Sequence, residues 1–317
     1  MRLLEPDRGL GLRGGADVAG AVLVTGGLMV GVYTIVGAAD HGWLSAHTLG
    51  LGAVALALIA GFVGRQATAA SPLLPLRILR SRDLSGANAV QVLLVAGMFG
   101  FMFLSALYMQ QVLGYDAAQV GLAILPAALV IGAVSLGLSA RLNARFGART
   151  VLLPGLALTV VGLVLLSRIP AAGDYAVDLL PAIVLLAVGF GLAMPALTTL
   201  AMSSATPSDS GLASGLFNTT QQVGGALGLA VLATLAASRT DALLAGGDSR
   251  AAALTAGYRL ALTIAAGFVT VGAVLAAVVL RREAPVDDRG AAVDAEVGSP
   301  AEPVAASVGA GVEGVLG

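Results

Sequence analysis

The chain has 317 residues, of which 57% are hydrophobic and 11% charged, and its mean hydropathy is +0.93. A soluble domain carries about 25% charged residues, so these proportions exclude an ordinary soluble globule and indicate an all-α integral membrane protein. There is no Cys and every basic residue is Arg, which excludes disulfides and thiolate metal or redox chemistry; the net charge of −1 gives no electrostatic reason to expect a nucleic-acid partner.

A bilayer span needs about 20 largely apolar residues. Residues 1–17, with Arg2, Arg8 and Arg13, read as a cytoplasmic N-terminal segment. The first two spans follow at 18–36 and 48–64. A basic flank before an apolar core resembles a secretory signal, but this core is too long and further spans follow, so the helix is retained. Between the two spans His41 and His47 flank Trp43. The pattern predicts an interfacial Trp with solvated His beside it, in preference to a pH sensor or metal site.

Residues 65–85 contain SPLLPLRILRSRDLSG, whose prolines and Arg make a cytoplasmic connector. Six further spans are predicted at 86–109, 119–140, 150–167, 179–203, 211–236 and 258–280. All 18 acids fall outside the spans, and Arg259 alone among the Arg lies within one, at its very start, where it can snorkel. The bundle 86–282 divides into two three-helix units, 86–167 and 179–280, each with a long first helix and a Gly-rich second one. Transporters often consist of such repeats in inverted orientation. From Glu283 onward the tail carries seven acids against Arg289 and no apolar periodicity, so 283–317 is predicted to be disordered.

The loops set the orientation. With the N-terminus inside, 13 Arg fall on the inner side, and only Arg168, Arg239, Arg250 and Arg259 fall outside. The positive-inside rule then places both termini in the cytoplasm of a multi-pass protein of the cell's inner (plasma) membrane.

The densest polar surface at membrane depth is Asn218-Thr219-Thr220-Gln221-Gln222, inside an uncharged run of some twenty-five residues. Each unpartnered polar group in hydrocarbon costs about several kcal/mol, so the block must face other helices or a watery cavity. On a helix Asn218 and Gln222 share a face, as do Asn88 and Gln91. Tyr108, Gln110 and Gln111 lie near the outer end of the 86–109 span. Interhelical hydrogen bonding accounts for any one of these residues. As a group they suit the lining of a cavity for an amphipathic or cationic organic solute, and the candidate contacts are Asn88, Gln91, Tyr108, Gln111, Asn218 and Gln222. Gly211 with Gly215, and Gly224 with Gly228, have the spacing for close helix approach. Pro126 and Pro195 each remove a backbone donor within a span and predict kinks of the sort found at gates. In SARLNARFGART, Arg141, Arg145 and Arg149 recur every four residues. They read either as positive-inside charge or as a latch that pairs with acids or helix C-termini in one state only. No nucleotide-binding loop, metalloprotease motif, nucleophile elbow or intramembrane carboxylate pair is present, so neither an enzyme nor a cofactor or metal is indicated.

Four segments together resemble the major facilitator superfamily, in particular its fourteen-span drug:proton antiporters. They are SPLLPLRILRSRDLSGAN, LYMQQVLGYDAAQVGLAILPAAL, LSARLNARFGART and SDSGLASGLFNTTQQVGGALGLAV, and the likeness runs from about residue 17 to 282. The resemblance implies that 18–64 are the two linker helices of that group and 86–282 its C-terminal bundle, with the first six spans missing. It implies export of small organic solutes in exchange for protons, by two bundles rocking about a central cavity. Two departures stand out. Ala144 occupies the place before Arg145 where the family prefers an acid, and no span holds a carboxylate, so proton-coupling residues would belong to the missing half. The alternative is a truncated or split half that packs against other helices without transporting on its own.

Overall fold

A computed structural model describes residues 17–69, 81–203 and 210–280. The N-terminal residues 1–16, connector residues 70–80, the polar cap at 204–209 and the tail beyond 280 lie outside the described residues. The helices run α1 Val18–His41, α2 Ala46–Thr68, α3 Arg82–Gln111, α4 Ala117–Ala133, α5 Ala140–Phe146, α6 Ala148–Leu166, α7 Leu180–Ser203, α8 Ser210–Ala245 and α9 Arg250–Val279. A π-helical segment, Val134–Ser139, joins α4 to α5, and a second one, Tyr175–Leu179, leads into α7. With α4 and α5 continuous, eight helical stretches are long and apolar enough to cross a bilayer.

Local chemistry sets many of the helix starts. Ser45, Ser81 and Ser249 each accept a hydrogen bond from a backbone N–H three residues on. Asp116 and Gln119 form a reciprocal capping box, with bonds of 2.8 and 2.9 Å, that opens α4. Gly42 and Gly147, with φ of 86° and 81°, end α1 and α5 in a conformation that a side chain would disfavour.

Where they join, α8 and α9 run past the predicted span limits, to Ala245 and from Arg250. No breaker interrupts the sequence before Gly246-Gly247, so α8 continues that far and the two helices carry Arg239, Asp241 and Arg250 beyond the predicted spans. Arg259 does not simply snorkel. Its Nε donates to the Ser167 carbonyl at the end of α6, at 3.1 Å.

Packing bears on the two-unit reading of α3–α9. The first helix of the first unit, α3, packs on α8 and α9, the second and third helices of the other unit. Reciprocally, α7 packs on α4 and α6. That exchange is what a pseudo-two-fold relation between repeats produces. Small residues make the closest crossings. A Cβ on Gly228 would lie 2.5 Å from Ala96 Cα, and one on Gly224 would lie 2.9 Å from Val92 Cα, so α8 and α3 meet backbone to backbone. On α6 and α7, Gly155 and Gly189 do the same. Gly211 and Gly215 do not share this role, for no atom lies within 4 Å of a Cβ at either.

The α1–α2 hairpin is closed at its Arg65 end by Asp17, whose buried carboxylate accepts from Arg65 Nε at 2.5 Å, Gln66 Nε2 at 2.9 Å and Gly20 N–H at 2.9 Å. Those bonds, the Arg65 one foremost, hold the Asp17 carboxyl below the usual carboxylate range. At the other end the imidazoles of His41 and His47 stack at 4.3 Å, beside a partly exposed Trp43. The hairpin rests on the bundle through α1 against α8, where Thr234 Oγ1 donates to the Ile35 carbonyl at 3.2 Å.

Candidate solute-facing helix and hinge

The six residues expected to contact solute do not form one site. Asn88 and Gln91 lie within the bundle interior, at 7% and 0% exposure. Asn88 Nδ2 donates to the Leu84 carbonyl at 2.8 Å, but Asn88 Oδ1 and both amide atoms of Gln91 have no hydrogen-bond partner among the described residues. The shared face predicted for the pair is therefore turned into the protein. Tyr108 is also fully buried, and its hydroxyl donates to the Pro170 carbonyl at 2.6 Å. It secures the segment between α6 and α7. Gln111 is exposed at the end of α3, where Oε1 accepts from the Tyr258 hydroxyl at 3.3 Å.

Asn218 and Gln222 behave differently. Both are exposed, on a stripe of α8 that also includes Ser214 and Ala226. The opposite side of the same helix carries Phe217, Gly224, Gly225 and Gly228 into the bundle. The helix follows this division because its small residues allow close approach to α3 on one face only, which turns the amides outward. Among the described residues Asn218, Gln221 and Gln222 make no hydrogen bond, whereas Thr219 bonds back to the Gly215 carbonyl at 2.9 Å. A row of unpartnered amides at membrane depth is unstable against lipid. It requires water, solute or another protein wall.

The second feature is a proline set against a π-helical segment. Pro195 has no N–H, so the Gly191 carbonyl loses its ordinary donor four residues on. Ser135 Oγ, from the π-helical segment beside it, donates to that carbonyl at 3.1 Å. Ser139 Oγ donates to the next carbonyl, Leu192, at 3.3 Å. A π-helical insertion and a proline thus face each other and are stitched by two hydroxyls. Pro126 lies about two turns before the insertion, in a helix that continues through it. The two serines were not anticipated. Spacing from Pro195 cannot reveal them, since their partners are more than fifty residues away in sequence.

The three loop Arg are also divided. Arg149 Nη2 donates to the Ala277 carbonyl at 2.5 Å. Arg82 Nη2 reaches the adjacent Val278 carbonyl at 3.1 Å. Two guanidiniums therefore meet the last turn of α9, where carbonyls lack partners and the helix dipole is negative. Arg82 was not foreseen as part of this cluster. Arg145 lies over the Phe146 ring at 5.3 Å. Arg141 is exposed and has no partner among the described residues. No group of three or more His, Asp or Glu capable of holding a metal gathers among the described residues.

Eight membrane-length helices among the described residues, packed against one another through α3–α9, indicate an integral, multi-pass membrane protein. Residues 5–229 match the Major Facilitator Superfamily, and the chain belongs to that family. It is 34% identical to a puromycin resistance protein of Streptomyces alboniger, over 92% of this chain and 59% of that one. It is 38% identical to a cephamycin export protein of Amycolatopsis lactamdurans, over 71% of this chain and 46% of that one. A tetracenomycin C resistance and export protein of Streptomyces glaucescens is 35% identical, over 70% and 41%. The chain thus spans about half the length of the curated relatives it matches.

Proposed function

We propose that the chain supplies the two linker helices and C-terminal bundle of a fourteen-span permease that exports small organic solutes from the cytoplasm in exchange for protons. The observation that carries this reading is the outward row of Asn218 and Gln222 on α8, whose amides have no partner among the described residues. Amides without charge suit hydrogen bonding to a neutral or amphipathic organic molecule and hold no inorganic ion strongly. The relatives named for resistance and export support the direction of transport. Their greater length leaves room for a second bundle to form the opposite wall and to carry the protonatable group.

In this proposal α8 lines the central cavity and Gln111 borders its outer end. Asn88 and Gln91 join the lining only when α3 rotates, an event that would find partners for Gln91. The facing Pro195 and π-helical segment, with Pro126, let α7 and α4 bend between inward- and outward-open states. Arg149, with Arg141 and Arg145, latches the cytoplasmic side, and both termini are cytoplasmic.

The test is Asn218→Leu/Gln222→Leu in a chain joined to, or co-expressed with, a second bundle. Efflux of a fluorescent dye falls at least ten-fold while membrane insertion stays intact. Unchanged efflux would reduce the row to helix-packing polarity.

A further inference from the structure

A slot of about 480 Å³ separates the α1–α2 hairpin from the bundle and is open along one side. Val24, Leu28, Phe62 and Val92 form its walls, with Leu216 and Val223 from α8. Its α8 wall runs from Gly211 to Val223, which at 1.5 Å per residue is about 18 Å. Half of a bilayer's hydrocarbon core is about 15 Å. Val24 and Phe62 lie within two turns of Asp17 and Arg65, so the slot occupies the depth of one leaflet, the one at the Asp17–Arg65 end. In the orientation proposed above this is the cytoplasmic leaflet.

The slot persists because Gly211 and Gly215 present bare backbone to it. Water is a poor occupant. It needs two to four polar partners, yet the Thr219 hydroxyl already serves the Gly215 carbonyl, which leaves Thr220 as the remaining side-chain hydroxyl in the lining. One turn beyond Phe62 on α2, Arg65 commits Nε to Asp17 while its side chain stays 45% exposed. We infer that the slot is a binding site for one phospholipid, with an acyl chain between the hairpin and α8 and the headgroup phosphate at Arg65. The chain fills the gap left below the α1–α8 contact at Ile35 and Thr234, so the lipid fastens the hairpin to the bundle. The inference does not depend on solute export.

The test uses the full chain with Trp43→Phe, so that a single indole can be introduced. Phe62→Trp places it in the slot wall, and Val63→Trp places it on the neighbouring outward face, where Val63 is 48% exposed. Each protein is reconstituted in phosphatidylcholine vesicles containing phosphatidylglycerol dibrominated at mid-chain. Both indoles are quenched. Filling the slot with Gly211→Leu/Gly215→Leu lowers quenching at position 62 at least two-fold and leaves position 63 unchanged, which also shows that the protein is inserted. Where the double variant fails to insert, Gly215→Leu alone gives the same comparison. Equal quenching at position 62 with the slot open or filled would overturn the inference. So would quenching there by aqueous acrylamide in place of the brominated lipid.

Discussion

The two glycine pairs of α8 have the same spacing and opposite surroundings, and Ala substitution separates them. At Gly228 a new Cβ would lie 2.5 Å from Ala96 Cα. Carbon atoms prefer about 3.5–4.0 Å, so α8 and α3 must part by about 1 Å. The obstruction is backbone, and no rotamer change relieves it. Overpacking of this sort costs about 1–3 kcal/mol, while Ala regains about 0.5–1 kcal/mol of helix propensity over Gly. The net loss for Gly228→Ala is about 1–2 kcal/mol. Gly224→Ala, held 2.9 Å from Val92 Cα, loses somewhat less. At Gly215 no atom lies within 4 Å of the new Cβ, so only the propensity term remains and Gly215→Ala is stabilised by about 0.5–1 kcal/mol. The assay is reversible unfolding of the purified chain in mixed micelles, titrated with a denaturing detergent and followed by helical circular dichroism. The reasoning fails if Gly228→Ala matches the unsubstituted protein, or if Gly215→Ala loses as much as Gly228→Ala.

Three other outcomes follow from the geometry. Ser135→Ala deprives the Gly191 carbonyl of its donor and costs about 0.6–1.7 kcal/mol. In a Pro195→Ala background, which restores the N–H, the loss shrinks, and equal losses in both backgrounds would dissolve the coupling. Asp17 has a depressed carboxyl pKa in the folded chain. Its contribution to stability is therefore present above the ordinary Asp value of about 3.9 and disappears as pH falls through the lower folded value. Asp17→Asn flattens that part of the stability profile, and an unaltered acid limb would refute the assignment. Arg149→Gln removes a cation from the α9 C-terminus, an effect worth about 0.3–1 kcal/mol. It shows as faster amide exchange over Ala276–Leu280, and unchanged exchange there would argue against the contact.

The polar block illustrates how far sequence reasoning reaches. Five adjacent amides and hydroxyls in an uncharged apolar run announced an unusual helix face, and α8 does turn Asn218 and Gln222 outward. Asn88 and Gln91 carried the same signal and lie inside the protein. Amphipathic patterning cannot separate these cases in a membrane helix, because both lipid and core are apolar and only the polar side chains mark a direction. Whether that direction leads to a cavity or to an unsatisfied interior depends on the neighbouring helices. Tyr108 is ambiguous in sequence for a related reason. A Tyr near a helix end fits a cavity rim and an interfacial anchor equally, and the Pro170 carbonyl that captures it lies 62 residues on.

Membrane residence, the number and order of the spans and the Ser, Asp and Gly helix boundaries were determined by the sequence alone. Hydrocarbon thickness, caps and left-handed turns act on contiguous residues, so their traces are local. The tertiary structure alone decided which glycines touch a backbone and which lie bare beside the slot. It also decided that Ser135 answers Pro195, that Arg82 joins Arg149 on α9, and that Asp17 closes the hairpin through Arg65. Each of these is a pairing between distant segments, formed only once helix packing has chosen which faces meet.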